Sequence, residues 1–90
     1  MNKAIITVVG KDTVGIIARV CTYLSEHQVN VLDISQTIID GFFNMMMIVD
    51  YTNATVEFAT MVDEMEELGE QIGVRIRCQR EEIFTKMHRI

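Results

Sequence analysis

The chain has 90 residues, 49% of them hydrophobic, with no proline, no tryptophan and five glycines, which suits one domain over residues 1–90 and excludes two domains, a disordered tail or a collagenous chain. A domain this small buries only roughly 60–65% of its unfolded surface, so a homodimer or higher homo-oligomer is expected. Thirteen acids against eight bases, a net charge of -5, argue against sequence-independent nucleic-acid binding, which needs a basic surface to neutralise phosphates.

Residues 4–9, Ala-Ile-Ile-Thr-Val-Val, are apolar on both faces and bounded by Gly10, as in a central strand. The period then changes: Val14, Ile17, Val20, Cys21 and Leu24 fall at helical spacing, giving a helix over about 14–27 with Asp12 or Thr13 as its cap. His27 stands where it can interact with that helix's C-terminus. Residues 29–39 return to strand chemistry, but the apolar parity slips from Val29 and Val31 to Leu32, Ile34 and Ile38, which predicts a bulge near Leu32 and Asp33. Asp40-Gly41 is a hairpin dipeptide leading into a strand over 42–49, with Phe43, Met45, Met47 and Val49 on one side and Phe42, Met46 and Ile48 on the other.

Phe58, Val62, Met65, Leu68 and Ile72 trace a second amphipathic helix ended by Gly73, and residues 74–80 alternate as a half-buried strand with Val74, Ile76 and Cys78 inward. The order βαββαβ predicts an α+β, ferredoxin-like fold: a four-stranded antiparallel sheet in the order 4-1-3-2 with both helices on one face. Residues 82–90 carry Ile83, Phe84, Met87 and Ile90 at helical spacing, so a short C-terminal helix is expected, docked on the sheet or on a partner subunit. Six acids and no base lie in 53–73, read as the solvated face of the second helix, whereas 74–90 holds five bases and two acids.

Cys21 and Cys78 lack the spacing of metal ligands, so no metal or other cofactor is expected and a reduced, cytoplasmic protein is the simplest reading. The apolar run after Met1-Asn2-Lys3 is too short for a signal sequence or a spanning helix, and no membrane role is expected. Methionines on the third strand suit plastic core packing better than metal ligation. No Ser/His/Asp set, paired inward carboxylates or metal cluster marks an enzyme.

The segment Gly10-Lys11-Asp12-Thr13-Val14-Gly15-Ile16 is where a strand meets a helix N-terminus, and amides around 14–16 favour an anion such as a carboxylate. Asp12 could accept an ammonium, Gly15 allows close approach, and Asn30 at the start of the second strand can donate and accept at once. Together they suit the backbone of a free amino acid. The bland reading makes Asp12 a helix cap, Gly15 a packing glycine and Asn30 a turn residue.

The combination of a strand, Gly-Lys-Asp-x-x-Gly-Ile over 10–16, a helix and Val29-Asn30-Val31 resembles an ACT domain over the whole chain. Asp33-Ile-Ser-Gln-Thr37, Met45-Met-Met47 and Met87-His-Arg-Ile90 are similar to the free-standing UPF0237 family, and the first part also resembles ACT segments of the glycine-cleavage repressor and of formyltetrahydrofolate deformylase. The resemblance implies a small-molecule effector, such as an amino acid, held between two subunits by Asp12, Val14, Gly15 and Ile16 of one chain and Asn30 of the other. Many members have proline where this chain has Val14, and serine-binding members have histidine where it has Gly10, so no particular ligand is implied. The expected function is a non-catalytic regulatory domain. The alternative is a ligand-free adaptor that docks a partner enzyme or regulator.

Overall fold

The computed structural model describes residues 2–11 and 13–80. Their elements are β1 (Lys3–Lys11), α1 (Ile16–Glu26), β2 (Asn30–Ile39), β3 (Phe42–Asp50), α2 (Phe58–Ile72) and β4 (Val74–Arg80). The four strands form one antiparallel sheet in the order β2-β3-β1-β4, which is the 4-1-3-2 arrangement counted from the opposite edge. The expected helix over 82–90 lies outside the described residues.

Strand periodicity explains the layering. Ala4, Ile6 and Val8 of β1 share a face with Met45, Met47 and Val49 of β3, and with Ile76 and Cys78 of β4. These residues are buried against Ile16, Val20 and Leu24 of α1 and Met61 and Met65 of α2. Burial of this kind stabilises by about 25 cal/mol per Å² of apolar surface, which makes this face the energetic centre of the domain. The opposite face is open: Phe42, Met46 and Val9 are all exposed.

Asp40 and Gly41 both have positive φ, 51° and 80°, the backbone of a type I′ hairpin turn, as the dipeptide predicts. The expected bulge is present as a register shift between Val31 and Asp33. Two expectations are corrected. The first helix begins at Ile16 rather than 14, and its N-cap is Gly15 in the left-handed region, not Asp12 or Thr13. Val14 therefore leaves the apolar stripe and is fully exposed, while Ile16, Val20 and Leu24 form its buried line.

The deepest line of α2 is Met61, Met65 and Gly69, rotated from the stripe drawn through Phe58, Val62 and Leu68, which are half-buried. Gly69 causes the rotation, because its missing side chain lets the helix approach the backbone of β4. Every residue of β2 is exposed, including Ile34 at 43% and Ile38 at 57%. Both share the helix-side face with Met47 and Phe43, but α2 packs on β4 and α1 touches β2 only sparsely, so neither helix covers them.

Candidate functional site

β1 delivers the chain to the turn at 12–15. Asp12 lies outside the described residues. Thr13 turns its hydroxyl back to donate to the Lys11 carbonyl at 2.9 Å, and the N-cap position falls two residues later, at Gly15. Gly15 has φ 90°, a conformation that costs an L-residue with a side chain about 1–2 kcal/mol. Its carbonyl accepts the Arg19 amide at 3.0 Å and starts α1. No side chain from Gly15 caps the first turn, so the amide end of α1 faces outward as an anion-favouring terminus. Ile16 contributes only its backbone, because its side chain is in the core.

Asn30 is exposed and lies at the far end of the sheet. It pairs with Asp50, which in turn pairs with Lys3, whereas Lys11 pairs with Phe42 and Phe42 with Ile39. β1 and β2 are therefore parallel with β3 between them. The Gly15 turn follows the end of one and Asn30 opens the other. Eight residue steps at about 3.4 Å place them roughly 27 Å apart along the strands. Within one chain, Val14, Gly15 and Ile16 are brought together and Asn30 is not.

Asn30 instead borders a hollow of about 620 Å³ beneath the C-terminal turn of α1, which also meets Cys21, Ser25, Gln28, Asp50 and Asn53. The sequence reading missed these residues as a group; the only signal was the polar break that starts at Asp50. The Asp50 carboxylate accepts the Thr52 amide at 2.9 Å and the Thr52 hydroxyl at 2.5 Å. These bonds, the hydroxyl first, hold its pKa below the ordinary carboxylate range. A group with a depressed folded pKa stabilises above its unfolded value of about 3.9 and loses that contribution as pH falls through the folded value. Thr52→Val should therefore raise the Asp50 pKa and flatten the acid limb of stability below about pH 4. Carbon-13 titration of the Asp50 carboxyl checks this, and an unmoved pKa would refute it.

His27 meets the helix terminus as expected: its Nδ1 lies 2.8 Å from the Tyr23 carbonyl oxygen. Its ring stacks on Tyr23 with centroids 4.1 Å apart, and Nε2 is 3.9 Å from Glu64. The Tyr23 hydroxyl donates to the same Glu64 carboxylate, and burial followed by that bond raises the phenol pKa above its ordinary value. Glu64 thus ties α2 to α1, while Asp63, Glu66, Glu67 and Glu70 form the exposed acidic face expected of the helix.

A second hollow, of about 520 Å³, runs between α2 and the β4 edge, with Glu66 and Glu70 on one wall and Arg75 and Arg77 on the other. It is distant from Asn30. Cys78 is buried, its thiol pushed up to about 12 by desolvation, and Cys21 is half-buried. Among the described residues no group of three His, Cys, Asp or Glu side chains could hold a metal ion, and no helix is long and apolar enough to cross a membrane.

Residues 2–79 match the family model described as ACT domain. A UPF0237 protein of Bifidobacterium longum is 82% identical over 90 residues, covering all of both chains. An ACT domain protein from Streptococcus pneumoniae superposes with a TM-score of 0.82 at 42% identity, over 92% of this chain and 93% of that one. A formyltetrahydrofolate deformylase from Pseudomonas syringae shares the fold at a TM-score of 0.81 and 18% identity, over 89% of this chain and 28% of that one.

Proposed function

Since the chain belongs to the ACT domain family, among the UPF0237 proteins, we propose that it is a non-catalytic regulatory domain that binds an amino acid or similar small metabolite between two copies of itself. The observation that carries this reading is the separation of the Gly15 turn from Asn30 at opposite ends of one sheet. Only a second chain can unite them, and the uncovered β2 edge is a surface on which one can pair.

Antiparallel β2 pairing about a two-fold axis at Gln36 sets Ile34 against the partner's Ile38. The same register carries Asn30 past the end of the partner's β2, level with its Asp40-Gly41 turn. That is the end of the sheet where Lys11 pairs with Phe42 and β1 runs into the Gly15 turn. A zwitterion held there meets the outward amides of one α1, with Asp12 as the acceptor for its ammonium, and the amide side chain of Asn30 from the other copy. A ligand gripped by two chains favours the paired state, which is how occupancy would be transmitted.

Dialysed protein screened by thermal shift against the twenty amino acids and common nucleotides tests this. At least one ligand should raise the melting temperature, and Asp12→Ala and Asn30→Ala should each abolish the rise. A flat screen removes the reading. The exposed acidic face of α2 favours a second one, an adaptor for a basic partner enzyme, which a stoichiometric complex formed without metabolite would support.

A further inference from the structure

The margin of the sheet opposite β2 is β4, which pairs with β1 alone among the described residues. The hairpin fixes which of its backbone groups are left over. In a two-residue type I′ turn the flanking residues exchange both backbone hydrogen bonds, so Ile39 and Phe42 bond to each other and Phe43 bonds toward β1. Followed through the register, Gly10 and Val8 bond toward β3, Val9 and Thr7 toward β4, and Arg75 and Arg77 toward β1. The Tyr51 amide, which donates to the Asn2 carbonyl at 2.8 Å, obeys the same alternation. The N–H and C=O groups of Val74 and Ile76 therefore point away from the sheet. Both side chains are buried, yet both residues border the hollow of about 520 Å³ beside α2, which they meet through their backbone. Gly69 keeps that backbone accessible, since a Cβ there would stand 2.7 Å from the Val74 carbonyl oxygen and 3.3 Å from the Ile76 nitrogen. Farther along, the Arg80 guanidinium lies 4.8 Å from the centre of the Phe58 ring and joins the end of β4 to the start of α2, so the open stretch is the first half of the strand. Glu66 and Glu70 stand on its helix wall and Arg75 and Arg77 on its outer face, all exposed. Among the described residues none of the four takes part in an ion pair.

We propose that this margin takes up an extended segment of a partner protein as an added strand, one whose side chains alternate acidic and basic. Main-chain hydrogen bonds to Val74 and Ile76 supply the pairing. Residues of the segment opposite Arg75 and Arg77 share their face and are acidic. The residue between them turns to the helix side, where a lysine lays its stem along the apolar wall and carries its ammonium to Glu66 and Glu70. Charge excludes a second copy as the occupant. Its β4 would bring arginines to arginines, and its β2 offers Asp33 as its sole charged side chain and sets Ile34 and Ile38, not bases, toward the carboxylates. Pairing through β2 leaves this margin free.

Amide exchange and nitrogen-15 NMR with a blocked peptide, Val-Glu-Lys-Glu-Val, test the proposal. In the free protein the Ile76 amide should exchange faster than those of Arg75 and Arg77; the reverse order would mean that the margin is already paired and would overturn it. At millimolar peptide the Ile76 amide should shift and exchange about tenfold more slowly. A peptide methylated on the lysine backbone nitrogen, which faces Ile76 in this register, should give no such protection. The isomer Val-Glu-Glu-Lys-Val should bind about tenfold more weakly, and so should the original peptide to Arg75→Glu with Arg77→Glu, both exposed positions whose change should leave the core amide signals in place. No shift at millimolar peptide, equal binding of the isomer, undiminished binding to the double variant, or full protection by the methylated peptide each counts against an added strand.

Discussion

On the proposed β2 pairing, replacing Ile34 and Ile38 together by lysine should shift the protein from paired to single copies, weakening association by about 100-fold, or roughly 3 kcal/mol. Both side chains lie on the helix side of an edge strand that neither α1 nor α2 covers, at 43% and 57% exposure. In the proposed pairing a two-fold axis at Gln36 places each opposite the other's counterpart, which would give the wild type two apolar cross-strand pairs and the double variant two pairs of like charges. The pattern is specific to that register. Ile34→Lys with Ile38→Asp puts opposite charges in both pairs and should recover the dimer. Sedimentation velocity across a dilution series reads the outcome, and a double-lysine variant that sediments as the wild type does would remove the β2 edge as the interface. The ligand response should fall with the dimer, since Asn30 reaches the Gly15 turn only across it.

Gly69→Val should cost about 3 kcal/mol of stability, lowering the melting temperature by on the order of 15 °C for a domain of this size. A Cβ at this position would stand 2.7 Å from the Val74 carbonyl oxygen and 3.1 Å from Ile76 Cγ1. The first obstacle is backbone of β4, which is paired to β1 through Gly10 and Val9 and cannot retreat without opening the sheet. Relief requires α2 to lift from β4, which loosens Met61 and Met65, both buried in the core. The higher helix propensity of a residue with a side chain opposes this by less than about 1 kcal/mol. Thermal denaturation followed by circular dichroism measures the loss, and an unchanged melting temperature would show that α2 does not depend on the close approach. Glu66→Ala on the exposed face of the same helix is the control, with a change within about 0.5 kcal/mol.

Much of the fold is legible in the sequence because two signals are local. The alternation in 74–80 and the doublet Asp40-Gly41 each depend on neighbours within a few residues, and both describe what the structure contains. The start of α1 was misplaced because Val14 has the right polarity and spacing for the stripe, and periodicity alone cannot register that Gly15 turns the chain left-handed just before the helix. The axis of α2 was missed for the opposite reason: Gly69 contributes nothing to a hydrophobic pattern, yet its emptiness decides where the helix lies. In β2 an apolar residue reads alike whether it is destined for a core or for another chain, so the pattern could not show that Ile34 and Ile38 remain uncovered.

The candidate site divides in the same way. Gly15 is recognisable from its place between a strand and a helix. The distance to Asn30 follows from topology: strands joined by a helical crossover run parallel, so the end of one and the start of the next occupy opposite ends of the sheet. The hollow that Asn30 borders was not legible, because Ser25 on α1 lies far along the chain from Asp50 and Asn53 at the end of β3.

The two edges of the sheet are unlike. β2 carries a single charged side chain, Asp33, whereas β4 places Arg75 and Arg77 in succession on one face. If two copies met through β4, antiparallel pairing would set these guanidinium groups against their equivalents, with like charges facing at each step. A sheet with two adhesive margins can add copies without limit and grow into a filament, while a sheet with one adhesive margin stops at two. On the proposed β2 pairing, the arginines of β4 would thus act on assembly size: they would leave the joint sheet with outer borders that refuse a third copy.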